Sequence, residues 1–203
     1  MGRHKSWRCR CWPALFFILV FPGAAQAHTV IPGANDFFNG VCHPLLTPAH
    51  LLILLGLGLW MGQRQPMDFK TPMLVFAPFS AVALLLTSTG MTATVYPPLL
   101  ISIALGFGLL VVLEKPLSPW ACRALFAAAA VGIGLDSVVE KGPPATVIKM
   151  LSGTWICLVL LVVDLAFYIS FCTKRKWSRV GIRVMGSWIT AVSMLVLAFF
   201  LRK

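Results

Sequence analysis

The chain has 203 residues, 59% of them hydrophobic and only 11% charged, with a mean hydropathy of +0.87. That leaves too little polar surface for a soluble domain of this size, so the chain is an integral membrane protein. The formal net charge of +11 does not point to nucleic acid, because the basic residues sit in short clusters between apolar runs. Positive charge so placed fixes membrane orientation.

Residues 1–27 read as a secretory signal. Arg3, Lys5, Arg8 and Arg10 form a basic start, and Trp12 to Phe21 form an apolar core too short to span a bilayer comfortably. Pro22 and Gly23 break the helix, and Ala25-Gln26-Ala27 supplies a small-x-small cleavage pattern. The alternative is an uncleaved first anchor. Cleavage after Ala27 would leave a mature protein, residues 28–203, that begins at His28.

Six apolar spans follow, at 48–63, 72–89, 95–113, 118–139, 146–171 and 182–201. Each is long enough for a ~30 Å hydrocarbon core, the first marginally. The connections are short, so the expected fold is all-α, a polytopic six-helix bundle without a separate soluble domain. With the mature N-terminus outside, the cytoplasmic loops carry Arg64, Lys70, Lys115, Arg123, Lys174, Arg175, Lys176, Arg179 and Arg183. The outside keeps Lys141, Lys149, Arg202 and Lys203, and this asymmetry predicts a periplasmic N-terminus in the bacterial inner membrane. Gly56, Gly58, Gly106, Gly108, Gly132 and Gly134 fall at spacings suited to close helix packing. Pro78, Pro97 and Pro98 are expected to kink or delimit helices.

Of the six cysteines, Cys9 and Cys11 lie in the signal, and Cys122, Cys157 and Cys172 lie in or beside later spans. Only Cys42 would face an oxidising compartment, so no disulfide framework is expected.

The chemistry-bearing residues gather early. Of four histidines, His4 lies in the signal, and His28, His43 and His50 fall within 23 residues, with none after position 50. Thr47 before Pro48 reads as an N-cap followed by proline at the first helical position. His50 then lies in the first helical turn and His43 in the loop before it. On one continuous helix the two would stand ~10 Å apart, too far to share an ion; a loop lets His43 fold back. A mature N-terminal His28 offers both its α-amine and its ring, and imidazole suits Zn, Cu and Ni. Asp36 and Cys42 are further donors nearby. The plainer alternative is that His43 and His50 serve as hydrogen-bonding or capping groups.

Asp136 and Glu140 are four apart on one face of the fourth span, which places both at the level of the histidines. Asp164 lies within the fifth span, where an ionisable group is costly and usually lines an ion path or pairs with a neighbour. The weighed partners are Arg123, Thr154 and Ser170.

Ala27-His28, His43-Pro44, His50-Leu51-Leu52 and Gly58-Leu59-Trp60, with six spans behind a signal, resemble the HupE/UreJ family. Its members are membrane accessory proteins of hydrogenase and urease clusters, regarded as nickel permeases. The motif match covers about residues 27–62 and the architecture the whole mature chain. Three features depart from the family pattern, one of them the family's glycine, which is Thr47 or Pro48 here depending on how the spacer is placed. Ala49 stands where the family has aspartate, and Val131 to Glu140 replaces a histidine-rich motif in the fourth span. The resemblance implies a divalent transition metal as ligand, nickel first, with copper or zinc as alternatives.

The expectation is therefore a non-enzymatic metal-binding and uptake protein of the inner membrane. His28, His43, His50, Asp136 and Glu140 would hold the ion, and Asp164 would be a passage point. The sequence has no P-loop to couple transport to ATP. The alternative is a non-transporting accessory subunit that binds copper or nickel for a membrane or periplasmic metalloenzyme. A third reading, an intramembrane hydrolase using Ser137, lacks a histidine base in the same span. The expected partners are the bilayer and the metal, and not nucleic acid.

Overall fold

The computed structural model describes residues 35–64, 68–89, 95–138 and 142–202. The signal region, His28 and Glu140 lie outside the described residues. Within them the protein is all helical: α1 (Asp36–Leu46), α2 (Pro48–Gln63), α3 (Lys70–Ser88), α4 (Pro97–Leu113), α5 (Pro119–Asp136), α6 (Pro144–Cys172) and α7 (Lys176–Leu201). Helices α2 to α7 fall on the six apolar runs of the sequence. Pro48, Pro97, Pro119 and Pro144 each open a helix, where a missing N–H costs nothing.

Not every helix is a full span by itself. Helices α3, α6 and α7 are each long and apolar enough to cross a bilayer, and α1 with α2 makes a fourth crossing broken by a 75° bend. Helix α4 is apolar but has only 17 residues, and Arg123 and Asp136 keep α5 less apolar than its neighbours.

Helix α2 is the centre. From Ile53 to Gly62 nearly every residue is buried, which suits a helix that is apolar all round. It packs on α1, α4, α5, α6 and α7, while α3 packs on α5 and α6, and α4 on α7. Trp60 anchors an aromatic cluster, with ring centroids 6.3 Å from Phe107 and 6.2 Å from Phe126, and Phe76 closes it 6.4 Å from Phe126. These separations lie in the range of favourable aromatic pairs.

Glycine permits the close approaches. A Cβ on Gly56 would stand 2.7 Å from the Phe107 Cβ, and one on Gly58 would run into Leu165. Gly106, expected at an interface, faces open space instead, with nothing within 4 Å of a built Cβ.

Helix α1 was not expected. His43 lies in its last turn rather than in a loop. The helix starts where the Asn35 side chain accepts from the Phe37 N–H (3.3 Å), with Asp36 favourably in the first turn. Pro44 sits inside it and lacks the N–H that would have bonded the Gly40 carbonyl. Thr154 of α6 offers a replacement donor, its hydroxyl lying 3.0 Å from both the Gly40 and the Met150 oxygens and sharing one hydrogen between them. The helices meet where Gly40 lies against the Met150 carbonyl and Gly153 against the Phe37 carbonyl. Pro48 then holds Thr47 extended (ψ 108°), which sets the bend. Thr47 caps no N–H of α2; its hydroxyl donates to the His43 carbonyl (2.9 Å) and closes α1.

Gly40→Val places its side chain on the Met150 backbone. We expect it to lower the thermal unfolding midpoint in detergent by several degrees, while Gly106→Ala leaves it unchanged or raises it slightly. The latter gains up to about 1 kcal/mol of helix propensity. Equal effects of the two substitutions would contradict the α1–α6 crossing.

Candidate metal centre

The broken span brings the two histidines together. With α1 turned at Thr47, the His43 and His50 rings approach edge to face at a centroid separation of 5.6 Å. The expected juxtaposition is present, produced by a bend between two helices rather than by a loop. His50 is completely buried and His43 half-buried.

Asp136 ends α5 and reaches across the bundle, its Oδ2 lying 2.9 Å from His50 Nε2. The carboxylate is 27% exposed while the ring is sealed, so the pair joins a dry interior to a more open edge. Gly134 allows α5 to sit this close to α3, because a Cβ there would stand 2.5 Å from that of Ala83. Ser137, beside Asp136, donates its hydroxyl back to the Ile133 carbonyl (2.8 Å) and closes the helix, which gives it a structural role.

The protonation logic follows from the contact. A neutral His50 donates from Nε2 to the carboxylate, which leaves Nδ1 as a lone-pair acceptor. Nδ1 is buried and has no hydrogen-bond partner among the described residues. A carboxylate fixing one ring nitrogen while the other points to a ligand is the usual support of metal-binding histidine. What the contact itself fixes is the His50 ring, held by Asp136 at Nε2.

The set is incomplete among the described residues, where no group of three His, Cys, Asp or Glu side chains is placed to hold a metal ion. Asp36 starts α1, two turns from His43. Cys42 is a half-buried free thiol. Asp164 does not join the cluster. The buried residues of its part of α6 are Leu158, Val162 and Ala166. Asp164, two positions from Val162, points about 200° away from it and is exposed. The partners weighed for it are engaged elsewhere: Thr154 with Gly40 and Met150, Ser170 with Phe167, and Arg123 over the Trp120 ring at 5.1 Å.

Fold and site together define a multi-pass helical membrane protein in which a buried histidine at the start of the central helix pairs with a partly exposed carboxylate. The chain matches the model of the HupE / UreJ protein family over residues 16–196 and belongs to that family. Neither the curated proteins nor the solved structures contain a significant match.

Removing the carboxylate leaves the sealed imidazole without its only hydrogen bond among the described residues, a loss of about 1–3 kcal/mol. Asp136→Ala should therefore destabilise the protein by that amount in detergent unfolding. His50→Leu/Asp136→Ala should recover part of it, because two apolar replacements leave no orphaned group. Additive losses in this cycle would contradict a direct contact.

Proposed function

We propose that this protein captures a divalent transition metal ion at the His43–His50 end of the bundle and moves it inward across the bacterial inner membrane. The observation that carries the reading is His50, buried, contacted by Asp136 at Nε2 and left with an unpartnered Nδ1 among the described residues, its ring centroid 5.6 Å from that of His43. Imidazole suits nickel, copper and zinc, and membership of the HupE/UreJ family favours nickel. Because a sole pair of imidazoles does not complete a transition-metal site, His28 and Glu140 are proposed to supply the remaining donors. The same reading takes residues 1–27 as a removed signal, the N-terminus as periplasmic and α2 to α7 as six spans. The path is not routed through Asp164, given its exposed face.

A second reading has support of its own. Past His50 the large buried side chains of α2 and its neighbours are apolar, among them Ile53, Leu54, Leu57, Trp60, Phe107 and Phe126. Buried polar side chains are few beyond that point among the described residues, Ser193 of α7 being one. This favours an accessory subunit that binds copper or nickel for a metalloenzyme and does not transport it.

Metal content by mass spectrometry on detergent-purified mature protein tests the shared core of both readings. Wild type should carry stoichiometric nickel, copper or zinc, and His43→Ala/His50→Ala should lose it. Apo protein in both forms, even after reconstitution with each ion, would contradict metal binding. Flux of the bound ion into proteoliposomes favours transport, and stoichiometric binding without flux favours the accessory role.

A further inference from the structure

At the opposite end of α2 the bundle carries its densest positive charge. Arg64 follows α2, Lys115 follows α4, and Lys174, Arg175, Lys176, Arg179 and Arg183 surround the α6–α7 turn. These segments meet. Gln63 Nε2 donates to the Val111 carbonyl (3.2 Å), Arg183 Nε donates to the Val112 carbonyl (3.2 Å), and Arg179 Nη2 lies 2.9 Å from Glu114 Oε2. Between them lies a cavity of about 310 Å³ walled by Trp60, Gln63, Arg64, Glu114, Lys115 and Arg179. That volume is at the lower end of small-molecule sites.

The charges in this cavity do not balance. Glu114 is held in the left-handed region (φ 51°), uncommon for a residue with a side chain, and its carboxylate is taken by Arg179. Arg64 is half-buried. Its guanidinium lies 5.0 Å over the Trp60 ring, and Nη1 donates to the Cys122 thiol at 3.3 Å. Neither partner is an anion, and Arg64 makes no ion-pair contact among the described residues. Asp68, the next carboxylate along the chain, shares a neighbouring cavity with Arg64 and lies close enough to feel its charge, but it makes no direct ion pair with it and accepts from the Thr71 N–H at 3.2 Å. Lys115, on the rim, also has no carboxylate contact among the described residues. Arg64, Lys115 and Arg179 set three cations against the one carboxylate of Glu114 in this cavity, an excess that selects for an anion, and the planar fork of Arg64 matches phosphate. Gln63 adds a second feature: its Oε1 is buried and has no hydrogen-bond partner among the described residues, so it can accept from a ligand hydroxyl.

We propose that this cavity binds a phosphate ester carrying hydroxyl groups, supplied in the membrane by the headgroup of an anionic phospholipid. The phosphate lies between Arg64 and Lys115, and a headgroup hydroxyl donates to Gln63 Oε1. The acyl chains leave along the bundle surface at the level of the basic α6–α7 turn. Basic side chains near a bilayer surface are the usual readers of such lipids.

The test uses delipidated full-length protein in a neutral detergent and follows the thermal unfolding midpoint as phosphatidylglycerol, phosphatidylcholine or inorganic phosphate is added. Phosphatidylglycerol should stabilise wild type at concentrations about tenfold lower than phosphatidylcholine, and Arg64→Gln/Lys115→Gln should abolish that preference. Lys174→Gln/Lys176→Gln removes the same charge from exposed positions outside the cavity wall and should retain it. Equal stabilisation of wild type by the two lipids would overturn the proposal. So would a preference that survives in Arg64→Gln/Lys115→Gln, or one lost equally in both double variants. Inorganic phosphate as effective as phosphatidylglycerol would overturn the lipid assignment and identify a free-phosphate site. If Arg64→Gln/Lys115→Gln does not fold, Lys115→Gln alone and native mass spectrometry of wild type decide the matter. Selective retention of phosphatidylglycerol, reduced by Lys115→Gln, supports the proposal, and indifferent retention overturns it.

Discussion

A fully buried imidazole must find its hydrogen bonds inside the protein, and among the described residues His50 finds one, with Asp136. That contact ties the first turn of the central helix to the last residue of α5, 86 positions further along the chain. It sets the depth at which α5 stops relative to α2. It also fixes which ring nitrogen is held and which is left available. The 75° bend between α1 and α2 serves the same corner, since without it His43 would stand two turns back along one helix. The bend in turn depends on two prolines four residues apart, and on the Thr154 hydroxyl that satisfies the carbonyl freed by the first.

The rest of the bundle is built to keep that corner rigid. Helix α2 is surrounded on all sides, and its glycines let α4 and α6 approach its backbone. Lipid gives no hydrophobic drive for helices to associate, so shape complementarity has to do so. The aromatic cluster around Trp60 fills the interior between the histidine end and the basic end. The two ends are therefore chemically opposite. One concentrates imidazole and carboxylate, and the other concentrates guanidinium and ammonium around a cavity.

Much of this is legible in the sequence. The helices α2 to α7 follow from apolar runs, helped at α2 and α4 by Pro48 and Pro97, and the family from a few residues between Ala27 and Trp60. Helix α1 was missed because Pro44 reads as a helix breaker. Its signals were Asn35 as N-cap and Asp36 in the first turn, but the hydroxyl of Thr154 that makes an interior proline tolerable comes from a helix 114 residues away. Asp136 was placed beside the histidines by counting residues along an outward-running span. That it meets the Nε2 of His50 is not readable from the sequence, because the contact depends on how α5 packs against α2. Asp164 shows the limit of composition: an acid within a span suggests an interior path, and only helix packing reveals which face it occupies. The family pattern has an aspartate where this chain has Ala49; here a carboxylate reaches the second histidine from another helix.

The most direct test of this account is nitrogen NMR of the His50 ring in protein labelled at histidine, with and without zinc, which is diamagnetic. The account predicts a ring protonated at Nε2 and hydrogen-bonded to Asp136, with an unprotonated Nδ1 whose resonance alone shifts strongly when zinc is added. A ring protonated at Nδ1, or an Nδ1 resonance indifferent to zinc while Asp136→Asn leaves Nε2 unchanged, would contradict it.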